Sequence, residues 1–156
     1  MSTSASCART GSVKMKAKVF WDTNLFIYLL EENPQFSPIV QDLRRRMLRR
    51  SDHLITSSMT VGEILVKPTA LGNHVLADRY RSLFVPPHVT VCSFDFAAAE
   101  SYARIRKDRG IQPADAIQLA CAASAGTDLF ITNDERLSQK NIDGIDFITS
   151  LKRAPL

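Results

Sequence analysis

Four acidic residues stand where this chain would place chemistry. Asp22 directly follows the apolar run Lys18-Val19-Phe20-Trp21, and Asp134 follows Leu129-Phe130-Ile131-Thr132 with one residue between. Glu63 sits in the otherwise apolar Val61-Gly62-Glu63-Ile64-Leu65, and Asp115 in the first turn of a helix opened by Pro113. In open parallel sheets, ligands gather beyond the carboxyl ends of the strands. Asp22 and Asp134 would both point there, and helices beginning beside those ends would carry Glu63 and Asp115 to the same cleft. Carboxylates that share a cleft repel one another and coexist only with protons or a cation. An oxygen-only donor set suits Mg²⁺ or Mn²⁺ rather than zinc. Such an ion activates water and steadies a phosphoryl group, so phosphodiester hydrolysis is the reaction this arrangement suggests. Each acid also has a plain structural role open to it. Asp22 and Asp134 suit helix N-caps, Glu63 suits a capping box with Thr60, and Asp115 complements a helix dipole.

The elements that must position these acids follow from periodicity and punctuation. Short apolar runs at Lys18–Trp21, His53–Ser57, Val89–Val91 and Leu129–Thr132 read as buried strands, with a fifth over Asp146–Ile148. Helices are expected over Leu25–Leu30 and over Pro38–Arg50, the latter with Ile39, Leu43 and Met47 on its inner face. Another runs from Thr60 to Val66, stopped by Lys67-Pro68, and another from Asn73 to Phe84, closed by Pro86-Pro87. A helix over Phe94–Arg109 carries the stripe Ala98, Tyr102, Ile105 and stops at Gly110. The helix Pro113–Ala125 is small or apolar almost all round and should be deeply buried before Gly126 ends it. Alternation of helices with short apolar strands predicts a layered α/β fold with a mainly parallel sheet of four to five strands.

Composition bounds the rest. The 156 residues are 45% hydrophobic and 23% charged, the balance of one globular domain. No apolar run reaches the ~18 residues that a membrane helix needs. Net charge is +4, but three basic residues and no acid lie in the first sixteen, and the remainder carries only +1. Composition alone is therefore a weak argument for nucleic acid. Cys7, Cys92 and Cys121 are odd in number and lack metal-site spacing, which suits reduced thiols in the cytoplasm. His53, His74 and His88 are scattered. Residues 1–16 read as a flexible tail with no secretory signal, Met15 being a candidate start, residues 17–150 as the domain and 151–156 as a C-terminal tail. Two basic runs stand out: Arg44-Arg45-Arg46 with Arg49-Arg50, and Arg104, Arg106, Lys107 and Arg109 just before the segment of Asp115. Either is a solvated helix face or a surface for a polyanion.

Taken together, Val19-Phe20-Trp21-Asp22-Thr23-Asn24, Val61-Gly62-Glu63-Ile64, Pro113-Ala114-Asp115-Ala116-Ile117-Gln118-Leu119-Ala120 and Ile131-Thr132-Asn133-Asp134-Glu135-Arg136-Leu137 resemble, in order and spacing, the four motifs of PIN domains. The likeness runs from about Lys18 to Ile148 and is strongest to stand-alone VapC-like toxins. It implies a three-layer α/β/α fold and a cytoplasmic, often dimeric, metal-dependent ribonuclease opposed by an antitoxin. By that likeness Asp22, Glu63 and Asp115 would ligate Mg²⁺ or Mn²⁺ directly or through water, and Asp134 would complete the cluster. Thr132 would orient these ligands and Asn24 would hydrogen-bond Asp22. Three other readings stay open: a PIN nuclease of RNA maturation without an antitoxin, a non-catalytic RNA-binding or interaction module on the same fold, and, remotely, an aspartyl-phosphate enzyme.

Overall fold

The computed structural model describes residues 16–156, so the expected leading segment and the Met15 start lie outside the described residues apart from Lys16. Five strands form one all-parallel sheet: β1 (Lys18–Trp21), β2 (His53–Ser57), β3 (Thr90–Cys92), β4 (Thr127–Thr132) and β5 (Ile145–Ser150). Their order is β3-β2-β1-β4-β5. The chain builds outward from β1 through β2 to β3, then crosses to the far side of β1 and builds through β4 to β5. β1 and β4 flank the point where that order reverses, with Val19 opposite Leu129 and Trp21 opposite Ile131.

Strand residues alternate between the two faces, and both faces are covered. Val19, Trp21, Leu54, Leu129 and Ile131 meet α1 (Thr23–Leu30), α2 (Ser37–Arg50), α3 (Ser58–Ala70) and α4 (His74–Arg81) in one apolar cluster. Phe20, Ile55, Phe130 and Ile145 meet α5 (Phe96–Ile105) and α6 (Pro113–Ser124) in a second. Phe20 and Phe130 stack across the sheet with ring centroids 4.9 Å apart. These are the three layers expected of the PIN fold. As expected, α6 is the most buried helix: Ala116, Gln118, Leu119, Ala120, Cys121 and Ala122 all lie inside. Gly126, at φ +68°, ends it where an L side chain would be strained.

Four local expectations are corrected. The inner face of α2 is Val40, Leu43 and Met47, whereas Ile39 is exposed. Two apolar stripes compete in that helix, and the sheet takes the one spaced i, i+3, i+7. Pro68 does not stop α3, which runs on to Ala70. A proline this near a helix end removes one backbone bond, and here its buried ring packs in the core and its carbonyl accepts from Asn73 N at 2.8 Å. α4 ends at Arg81, after which successive turns lead to the loop of Pro86 and Pro87. α5 ends at Ile105, four residues short of Arg109. Asp108 then caps a tight turn by accepting from Gly110 N at 2.9 Å, so Arg106, Lys107 and Arg109 lie on a loop. At the C-terminus, Leu151–Arg153 form a 3₁₀ turn whose Leu151 is buried in the first cluster. Among the described residues no helix is long and apolar enough to cross a membrane.

Candidate active site

At the carboxyl ends of β1 and β4 lies a cleft of ≈ 310 Å³ lined by Asp22, Thr23, Asn24, Ile27, Glu63, Ala114, Asp115, Gln118 and Asp134. The structure thus brings together all four acids singled out in the sequence, from four separate segments. Asp22 leaves the end of β1, its N–H still bonding Ile131 O at 3.1 Å. Its side chain caps α1 by accepting from Thr23 N at 2.7 Å through Oδ1, and Oδ2 accepts from Thr132 Oγ1 at 2.8 Å. The capping role and the cleft-facing position are therefore held by one residue. Thr132 Oγ1 also accepts from Asp134 N at 3.0 Å, which ties the end of β4 to the end of β1.

Glu63 is not in a capping box. Ser57 caps α3, its hydroxyl accepting from Thr60 N, and Glu63 lies a further turn into the helix. There its Oε1 accepts from Thr23 Oγ1 at 2.7 Å. Asp115 occupies the first turn of α6 and accepts no hydrogen bond among the described residues. Asp134 Oδ1 accepts from Arg136 N at 2.9 Å and lies 3.7 Å from Arg136 Nε. Asn24 lines the cleft and is exposed, and the bond to Asp22 expected of it is not made. The two oxygens of Asp22 go to Thr23 N and Thr132 instead.

A polar cluster that the sequence reading did not anticipate lies beneath the carboxylates. Gln118, 3% exposed, donates through Nε2 to Thr23 Oγ1 and Thr60 Oγ1, each at 2.8 Å, and its Oε1 accepts from Ser57 Oγ. A signal for it was present: one amide in a helix otherwise small and apolar must find partners when buried. Its position three residues after Asp115 puts both on one helix face.

Electrostatics sharpen the picture. Burial, only partly offset by the bonds from Thr132 and Thr23, raises the Asp22 carboxyl to about 6, and Asp115 and Glu63 push in the same direction. Asp115 is also raised, first by burial and then by Asp134 and Glu63, with Arg136 opposing. The cleft thus holds more negative charge than its own cations balance. Hard oxygen donors with excess negative charge fit a divalent cation of the Mg²⁺ class. Among the described residues, no three Asp, Glu, His or Cys side chains converge tightly enough to enclose an ion by themselves. The fit is therefore to an ion held by one or two carboxylates with water completing its shell, which is how Mg²⁺ is commonly bound.

The basic runs divide. Arg106 Nη1 donates to Ile111 O at 2.6 Å, bracing the loop that leads into α6. Arg104, Lys107 and Arg109 are exposed, and none of the four is ion-paired to a cleft carboxylate. In the first run, Arg44 donates to His88 O, Arg45 and Arg46 reach Asp42, and Arg50 pairs with Asp52. Most of that run is thus engaged within α2 or with the segments beside it. Among the described residues Arg136, not singled out beforehand, is the cation that pairs with a cleft carboxylate.

Comparison with known proteins agrees with this geometry. No curated protein matches the chain. Among solved structures, VapBC2 of Rickettsia felis, bound to a DNA fragment from its promoter, superposes with a TM-score of 0.63 at 13% identity over 85% of this chain and 98% of that one. DNA-bound VapBC of Salmonella typhimurium gives 0.61 at 23% identity, covering 86% and 98%. VapC20 of Mycobacterium tuberculosis, described as a Sarcin-Ricin loop cleaving toxin, gives 0.61 at 18% identity, covering 81% and 97%. At these identities the likeness speaks to the fold. The sequence model of the PIN domain matches residues 19–143, most of the chain and all four acidic segments, and the chain therefore belongs to the PIN domain family.

Proposed function

We propose that the protein is a metal-dependent endoribonuclease whose cleft is formed by Asp22, Glu63, Asp115 and Asp134. One observation carries this reading: four carboxylates from four segments line one cleft at the topological switch point, where burial first, and then Asp115 and Glu63, raise Asp22 to about 6. A divalent ion, Mg²⁺ or Mn²⁺, held directly by one or two of these carboxylates and through water by the others, would supply Lewis acidity and charge neutralisation at the phosphodiester. The chain's own residues prepare the site. Thr132 Oγ1 and Thr23 N fix both oxygens of Asp22, and Thr23 Oγ1 fixes one oxygen of Glu63, whose Oε2 accepts no hydrogen bond among the described residues. Asp115, with no hydrogen bond to either oxygen among the described residues, is the carboxylate freest to ligate or to accept a proton from water. Arg136 offers a donor to a phosphate oxygen at the cleft rim, and the exposed Arg104, Lys107 and Arg109, outside the cleft lining, would add attraction for a polyanion. RNA is the substrate proposed, in keeping with the description of VapC20 as a cleaving toxin of the Sarcin-Ricin loop.

We further propose that the protein is a cytoplasmic homodimeric toxin with a cognate antitoxin; the VapBC toxin–antitoxin systems among its structural neighbours support the antitoxin. Incubating purified protein with a mixed RNA pool, with Mg²⁺ or Mn²⁺ and then with chelator, tests the activity. Cleavage that needs the ion and vanishes in D115N is the expected result, and ion-independent cleavage or none at all overturns it. Growth arrest on expression, relieved by the product of an adjacent small reading frame, is expected of a toxin. A harmless active nuclease would leave the RNA-maturation role instead.

A further inference from the structure

The buried cluster around Gln118 admits one arrangement of protons. A carboxylate only accepts hydrogen bonds, so the contact of 2.7 Å between Thr23 Oγ1 and Glu63 Oε1 uses the single hydroxyl proton of Thr23. Thr60 must then be the donor in its 3.1 Å contact with Thr23. Both threonine oxygens are left to accept, and the two N–H bonds of Gln118 fill those places at 2.8 Å each. Ser57 gives its proton to the Gln118 oxygen. If the amide were turned round, its oxygen would compete with Glu63 for the Thr23 proton and its N–H bonds would face Ser57. The orientation of one amide thus decides where the Thr23 hydroxyl points. The same threonine offers its peptide N–H to Asp22 at 2.7 Å, so its position bears on two of the four carboxylates.

We propose that Gln118 is a positioning residue: by donating to Thr23 and Thr60 it directs the Thr23 hydroxyl to Glu63 and holds Glu63 and Asp22 in register for a divalent cation. The proposal rests on the reading of the cleft as a cation site. Two readouts besides cleavage test it. In the metal-free protein, both side-chain amide protons of Gln118 should exchange slowly by ¹⁵N-resolved NMR. In a Mn²⁺ titration, Q118M should raise the dissociation constant about tenfold, the usual effect of losing a residue that orients a metal ligand. T23V should do the same, T23S should bind as wild type, and Q118M/T23V should be little weaker than either single variant, because both break one chain of bonds. Wild-type affinity in Q118M, or single effects that simply multiply in the double variant, overturns this proposal alone. So does a Gln118 amide that exchanges as fast as an exposed glutamine. Should Q118M fold poorly, T23V against T23S carries the test, and equal affinities there overturn it. A protected amide in a wild-type protein that takes up no Mn²⁺ overturns the cation reading of the cleft, and this proposal with it.

Discussion

Asp22 and Asp52 are equally hidden, each 9% exposed, and each lies at an end of the central sheet, yet their surroundings are opposite. Asp52 precedes β2 at the amino edge. Its Oδ1 accepts from Ala17 N at 3.2 Å and its Oδ2 from Arg50 Nε at 2.9 Å. Nearby, Asp128 accepts from Lys18 N, and Lys18 Nζ donates to Ala125 O. Asp52 thus has a cation and a backbone N–H as partners, and Asp128 and Lys18 each have a backbone partner. At the carboxyl edge Asp22 faces Glu63, Asp115 and Asp134, and Arg136 pairs with Asp134 and opposes the rise of Asp115. A buried carboxylate that is paired belongs to the fold. One left among like charges is destabilising, and such destabilisation marks a site kept for a ligand.

The largest expected effect comes from removing charge at the carboxyl edge. D22N and D115N should each lower RNA cleavage by about a thousandfold or more, an effect of about 4 kcal/mol, with the circular dichroism spectrum unchanged; residual activity above a tenth of wild type would break the contrast. Replacing Thr132 by Val removes the donor that orients Asp22, and cleavage should fall by roughly 10–100-fold. At the opposite edge D52N should do the reverse. It should lower stability by about 1–3 kcal/mol in denaturant titration, while activity per folded molecule is retained.

The pH dependence sharpens the same comparison. Asp22 has a folded pKa of about 6 against an ordinary value of 3.8. Between those values the folded state binds more protons than the unfolded one, so this group makes stability fall as pH rises from about 4 to about 6. The loss is fully present at neutral pH. D22N should therefore melt higher than wild type at pH 7, by about 1–2 kcal/mol after allowing for its weakened bonds, with the gap closing below pH 4. Saturating Mg²⁺ should stabilise wild type more than D22N. An identical pH profile in both proteins would remove the electrostatic argument. The smallest effect is expected at the basic loop. K107E/R109E should weaken RNA binding and flatten its salt dependence, whereas R106E should lower stability, because Arg106 braces Ile111.

The layered architecture was legible in the sequence for a local reason. Val19-Phe20-Trp21 and Leu129-Phe130-Ile131 are continuous apolar runs, as strands covered on both faces must be. Pro113 and Gly126 punctuate α6 by their own backbone preferences. Asp22 and Asp134 could be placed at strand ends because Asp22 directly abuts its run and Asp134 is one residue past its own. Other features had no such local signature. Leu43 and Met47 belong to either of two stripes on α2, and what selects Val40 over Ile39 is the neighbouring sheet. Pro68 reads as a stop in one dimension and is a core residue in three.

The sequence by itself determined which segments are strands and helices and which acids stand at their ends, because these depend on period, caps and breakers within a few residues. Only the tertiary structure decided that the acids meet. That meeting needs β1 beside β4, pairing Val19 with Leu129, and it needs α3 and α6 rotated so that Glu63 and Gln118 close on Thr23. Neither is encoded in any short window. Hydrogen bonds such as Gln118 to Thr23, between residues 95 apart, and Thr132 to Asp22, 110 apart, form once the sheet order β3-β2-β1-β4-β5 has been set by burial of both faces.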